Sequence, residues 1–189
     1  MSYFKIAFIF FISIQIFACK KGENDPVISF LSRTERIEGE WHITGSTHFL
    51  TITENEQVKV TKDNLEEGIF YTYFFQNGNE ISRTKGLYRF DGRLLINKNG
   101  TFKYIETKYG PVSNVRTFEG TWQFEDGTKD KVYILFSVIN SELLRNQFFY
   151  INELRNKKLV LSEETFASSK FGKSFNSIKM KSQVTLVQY

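Results

Sequence analysis

Two histidines, one cysteine and two pairs of adjacent glutamates are the side chains best suited to chemistry in this chain of 189 residues. His42 and His48 lie in a segment that reads as a strand, where six residues at ~3.3 Å each set them roughly 20 Å apart. They share a face, but they cannot ligate one metal unless Gly45 folds the strand back, and a zinc site needs three or four protein ligands. Both project opposite Trp41, Ile43 and Phe49, which the core should claim, so both histidines are expected at the surface. A serine triad needs a histidine oriented by a carboxylate, and no Gly-x-Ser-x-Gly elbow is present to support one. Glu66-Glu67 and Glu163-Glu164 could form a glycosidase dyad only if both carboxylates faced one sugar, whereas strand neighbours point to opposite faces. No phosphate-binding glycine loop or dinucleotide fingerprint occurs. Asn99-Gly100-Thr101 matches a glycosylation sequon but reads better as a hairpin turn. Neither catalysis nor a metal or diffusible cofactor is expected.

Charge narrows the partners. Lysine and arginine total 25 against 21 acids, a formal balance of +4. The cations are interleaved with acids, and Lys20-Lys21 and Lys157-Lys158 are the only adjacent pairs. Nucleic-acid binding needs a clustered stripe or a motif, so no nucleic-acid partner is expected.

Cys19 is the only cysteine, which rules out an internal disulfide and leaves stability to core packing. Its setting gives it another use. Lys5 precedes an apolar run from residue 6 to 17, broken only by Ser13 and Gln15. In helix such a run spans ~18 Å, short of the ~30 Å hydrocarbon core, so residues 1–18 read as an export signal rather than a transmembrane anchor. The run ends Ile16-Phe17-Ala18-Cys19, which resembles a lipobox, with an aliphatic residue at −3, a small one at −1 and Cys at +1. The resemblance to bacterial lipoproteins implies cleavage after Ala18, diacylglycerol in thioether linkage to the Cys19 sulfur, and an acylated amine. These covalent lipids, at ~0.8 kcal/mol per buried methylene and more than one chain, would hold the protein on a membrane. The following Lys-Lys-Gly-Glu-Asn-Asp-Pro is polar and reads as a flexible tether. Lys20 stands where inner-membrane lipoproteins of enteric bacteria carry Asp, so the resemblance implies the outer membrane. Periplasmic and surface exposure both stay open.

The elements that follow must position whatever else the chain does. Residues 27–37 hold spaced apolar side chains that suggest a short helix on the domain. From Gly39 the pattern becomes strands: 40–53, 69–76, 81–90, 93–97, 101–107, 121–125, 131–139, 148–153, 158–162 and 184–189. Asn77-Gly78, Asp91-Gly92, Asn99-Gly100 and Asp126-Gly127 read as tight turns. One helical turn is expected in the polar bridge 140–147, and residues 163–175 read as helix or long loop. Twenty Phe and nine Tyr against two Pro support a strand-rich chain. The expectation is an all-β antiparallel domain over 39–189, an up-and-down barrel of about 8–10 strands, preceded by the tether and helix at 19–38.

Closure of that barrel is favoured by Gly39-Glu40-Trp41 and Gly120-Thr121-Trp122 at the openings of two strands. The first resembles the Gly-x-Trp of the lipocalin superfamily, whose tryptophan plugs the closed end. With Asn99-Gly100-Thr101-Phe102 and Leu159-Val160-Leu161, residues 39–162 resemble bacterial lipocalin-like lipoproteins in motif order. Strands 69–76 and 131–139, apolar on both faces, and the tail beyond Ser162 depart from that pattern. Trp41, Phe102, Tyr104, Trp122 and Phe124 fall on the inward alternation and are the candidates to touch an apolar or amphipathic ligand. The alternative is that they simply fill the interior, in which case the chain would be an interaction module whose outer surface meets another envelope protein. A cavity of ~300 Å³ or more would favour the carrier.

Overall fold

The computed structural model describes residues 32–54, 57–126, 132–138, 146–155, 157–171 and 174–189. Residues 1–31, which include the segments expected to be an export signal and a tether and the expected lipidation site Cys19, lie outside the described residues, as does Gly127. So does the bridge expected to form a helical turn, apart from residues 146 and 147, which open a strand. Ten strands form the domain: β1 Gly39–Glu54, β2 Gln57–Glu66, β3 Ile69–Gln76, β4 Asn79–Ile96, β5 Thr101–Tyr109, β6 Asn114–Asp126, β7 Val132–Val138, β8 Asn146–Arg155, β9 Lys158–Phe171 and β10 Ser174–Val187. Each pairs antiparallel with its sequence neighbour, and β10 returns to β1, closing the ring. The all-β, up-and-down barrel is what the strand pattern predicts.

A second pairing gives the barrel its taper. The first residues of β1 bond directly to the end of β4, from Gly39 opposite Ile96 to His42 opposite Arg93. Farther along, β1 pairs instead with β2, and the β2–β3 hairpin is wedged between β1 and β4. Eight of the ten strands therefore close the floor, and all ten take part only above it. The expected helix is short: α1 spans Arg33–Ile37, opened by a capping box in which Ser32 Oγ accepts from the Glu35 N–H and a Glu35 carboxylate oxygen accepts from the Ser32 N–H. Reciprocal caps of this kind satisfy two otherwise orphaned donors. The Arg36 guanidinium donates to the Leu154 carbonyl (2.7 Å) and Gln188 donates to the Glu38 carbonyl (2.8 Å), which seats α1 beneath the floor.

Several sequence expectations change. The run 57–66 (QVKVTKDNLE), read as no strand at all, is β2: of its inward residues only Leu65 is buried, while Lys59 is exposed and Thr61 and Asp63 are half-buried, so no apolar alternation marks it. Asp91-Gly92 is not a turn. β4 runs straight through it, because a Cβ at Gly92 would collide with Ile43 Cδ1 (2.7 Å) and the Phe90 ring (2.9 Å); glycine here is for close packing. Gly120-Thr121-Trp122 lies in the middle of β6 rather than at its start. Residues 163–171 continue β9 and 174–187 form β10, so the tail is a strand pair, not a helix or loop. Asn77-Gly78 does form the β3–β4 hairpin, both residues having positive φ (49° and 84°), the combination a type I′ turn requires.

Gly120 permits the tightest approach in the ring. A Cβ there would overlap the Ser137 carbonyl oxygen on β7 and come within 2.8 Å of Phe102. Because backbone rather than a flexible side chain opposes it, Gly120→Ala is expected to cost ~1–3 kcal/mol as overpacking. A chemical melt that places this variant at parent stability would show the β6–β7 spacing to be looser than described.

Candidate functional site

Alternation sends Leu94 on β4, Phe102 and Tyr104 on β5, Phe136 on β7, Leu161 on β9 and Leu186 on β10 into the barrel. They do not fill it. A cavity of about 600 Å³ lies above the floor, bounded also by Ile43, Glu106, Phe118, Val138, Gln147, Phe149 and Val184. Its base is aromatic and tight: Phe102 and Phe136 meet edge to face at 4.9 Å, and Phe149 stands edge-on to Phe136 at 6.0 Å. Toward the wide end the wall becomes partly polar. Phe118 stacks on Tyr104 (6.0 Å, 22°) and is itself 38% exposed, so it stands at the opening.

The lining carries three polar groups. Glu106 is ion-paired with Lys108 at 3.1 Å and Gln147 lies at the exposed rim. The Tyr104 hydroxyl has its pKa pushed above the ordinary tyrosine value, first by burial and then by the Glu106 and Asp91 carboxylates. It therefore stays protonated throughout the physiological range and presents an uncharged donor and acceptor inside an apolar wall.

The five aromatics singled out as ligand candidates divide by height. Phe102 and Tyr104 line the cavity. Trp41, Trp122 and Phe124 do not: they form the packed floor beneath it. Trp41 is 1% exposed, with its indole N–H donating to the Ile37 carbonyl at 2.7 Å. Trp122 donates to the Asn97 carbonyl at 2.9 Å, and Phe124 packs edge-on against Trp122 at 5.3 Å. These ring N–H bonds fix the two tryptophans to backbone at the narrow end, which removes them from a ligand's reach. Sequence reasoning missed Phe118, Phe136, Phe149 and Glu106. Phe118 and Glu106 continue the same period of two that marked their strand neighbours, and that was the available signal.

The histidines also separate. His42 stays outward, 3.3 Å from Glu40 and edge-on to Tyr189 at 5.0 Å. His48 does not share its face. A bulge between Ile43 and Gly45 inserts one residue, so the alternation of β1 inverts, Phe49 turns out and His48 turns in. His48 then stands directly across from Ser182 on β10 and Asp63 on β2, and Thr72 donates to Asp63 at 2.6 Å. A serine, a histidine and an aspartate in one row invite a hydrolytic reading. However, His48 Nδ1 is 3.7 Å from the Asp63 carboxylate, beyond hydrogen-bond range, and the row lies on a sheet whose N–H groups are engaged in the strand ladder. Among the described residues no three metal-ligating side chains converge.

No family model, curated protein or solved structure matches the chain. The site has to be read from its own geometry.

Proposed function

We propose that the chain is a lipid-anchored envelope protein, held on the outer membrane through Cys19, whose barrel carries a small apolar or amphipathic molecule. The observation that supports the carrier most is the cavity: about 600 Å³, within the ~300–1,000 Å³ range of small-molecule sites, apolar at its base and polar at its rim. That gradient suits a ligand with a hydrocarbon body against Phe102, Phe136 and Leu186 and a polar end near Tyr104, Glu106 and Gln147. The anchor rests on residues 16–19, whose order resembles a lipobox. The barrel with tryptophan at its floor is the arrangement the lipocalin resemblance implies.

The rival reading is an interaction module, which a strand apolar on both faces, such as β3, would suit if one face met a partner. The outer aromatics of β3 have another explanation. The Arg83 guanidinium lies 4.4 Å from the Tyr71 ring and 4.8 Å from Tyr73, with Lys62 5.7 Å from Tyr73 and 5.6 Å from Phe49. Cations resting on ring faces cover that surface without a partner.

Two measurements test the proposal. Native mass spectrometry of protein purified from envelopes should retain a bound small molecule; a spectrum showing only a larger protein assembly would support the rival. Replacing Cys19 with Ser should abolish incorporation of a palmitate analogue and release the protein from membranes. Continued labelling of the Cys19→Ser chain would sink the anchor.

A further inference from the structure

We propose that the lip formed by the β4 bulge and the β5–β6 turn docks the mouth of the cavity onto an anionic phospholipid bilayer. Along β4, Arg89 pairs with Ile69 and Lys85 with Tyr71, so Gly86, Leu87 and Tyr88 stand opposite Phe70 alone. Bulged strands bend and re-aim their side chains, and here Leu87 is left 81% exposed. The neighbouring turn is fixed beside it: Arg89 pairs with Tyr109, and the Tyr88 ring lies against Gly110 so closely that a Cβ there would overlap it. Val112 (72%) in the turn and Val115 (62%) on β6 are further exposed apolar side chains of this lip, and Phe118, on the other face of β6 from Val115, lines the cavity behind it.

The charge around the tip identifies the partner. Residues 85–90 and 107–118 contain Lys85, Arg89, Lys108 and Arg116 and no aspartate or glutamate. The acids that border them are each matched by a cation, Asp91 by Arg93 at 3.3 Å, Glu106 by Lys108 at 3.1 Å and Glu119 by Lys103 at 2.7 Å, which leaves Lys85, Arg89 and Arg116 as the positive surplus of the lip. Apolar and tyrosine tips flanked by cations are the composition of segments that settle into an anionic membrane interface, where lysine and arginine stay with the headgroups. The tips are separate side chains on a turn and a bulge, not a continuous flat face, which a fluid lipid surface accommodates more readily than a rigid protein would. Docking at this point would let an apolar ligand pass between cavity and bilayer without crossing water. That consequence rests on the carrier reading; the docking itself does not.

The test uses the full chain with Cys19→Ser and Val112→Cys, carrying an environment-sensitive fluorophore at position 112. On phosphatidylcholine vesicles containing phosphatidylglycerol the emission should shift to the blue and be quenched by lipids spin-labelled near the headgroup. On phosphatidylcholine alone, or in high salt, both signals should fall. Adding Leu87→Asp and Val115→Asp should weaken the response about tenfold with an unchanged thermal melt, since both sites are exposed. A label that remains in water while the chain sediments with anionic vesicles would overturn the proposal, because the chain would then be held by its amino-terminal segment or another face. Equal responses on neutral and anionic vesicles, or an undiminished response in the aspartate variant, would overturn it too. Binding of a fluorescent fatty acid measured without vesicles separates the two ideas: its absence counts against the carrier and leaves the docking result standing.

Discussion

Replacing Trp41 with alanine is expected to cost ~3–5 kcal/mol of folding stability, the range for large aromatic truncations in cores. Three structural losses coincide at this position. The indole is 1% exposed and stands across from Leu94, where β1 and β4 close the narrow ring. Its N–H holds the Ile37 carbonyl at 2.7 Å, and the Ile37 side chain is itself fully buried. Truncation therefore opens the floor and loosens α1 in one step. Trp41→Phe separates the contributions, since most of the packing remains while the hydrogen bond, at ~1 kcal/mol, is lost. His42→Ala on the outer face should change stability by within ~0.5 kcal/mol, its contacts being Glu40 and Tyr189 at the surface. Urea melts with a common slope decide the matter. Similar losses for Trp41→Ala and His42→Ala would mean that the floor is not the keystone of the closed end.

The features legible in the sequence share a physical origin, which is local conformational necessity. Asn77-Gly78 and Asn99-Gly100 mark real hairpins because their glycines have φ of 84° and 82°, values that side chains rarely tolerate. Gly39, at φ 128°, opens β1 for the same reason, and Trp41 follows it into the core. Asp91-Gly92 carries a similar turn signal with a different cause: that glycine makes room for Ile43 and Phe90 within a strand. β2 and the upper parts of β9 and β10 were hidden because alternation is visible only where one face is core. Lys59, Thr61 and Asp63 on β2 stand opposite Ile52, Leu50 and His48, at the wide end where water reaches both sides.

The site was half legible for a related reason. A period of two states which face a residue takes but not its height along the barrel axis. Phe102 and Tyr104 could thus be marked as inward together with Trp122 and Phe124, although the first two bound the cavity and the others lie under it. Only the strand registers set those levels. The bulge at Ile43/Gly45 had a further effect, since one inserted residue exchanged the faces of His48 and Phe49. Every inward assignment on β1 beyond residue 43 was inverted by it.

The difference in height gives the sharpest test of the carrier. Val138→Trp adds a large ring to the wall of a cavity of about 600 Å³, which has space to receive it. The variant should keep nearly the stability of the parent and lose at least about tenfold in affinity for a fluorescent fatty acid, ~1.4 kcal/mol, from a parent value near micromolar. Phe124→Leu should do the reverse. It trims a ring packed on Trp122 below the cavity, so it should cost ~1–2 kcal/mol of stability while leaving affinity within about threefold. Tyr104→Phe removes only the uncharged hydroxyl, and a ligand whose polar end meets it should bind more weakly by ~0.5–1.5 kcal/mol. A filled barrel makes opposite demands. There Val138→Trp would force its neighbours off their rotamers at ~1–3 kcal/mol, and the parent would ignore every apolar probe offered. That pair of results, a destabilised Val138→Trp and a silent parent, would transfer the function from the inside of the barrel to its outer surface.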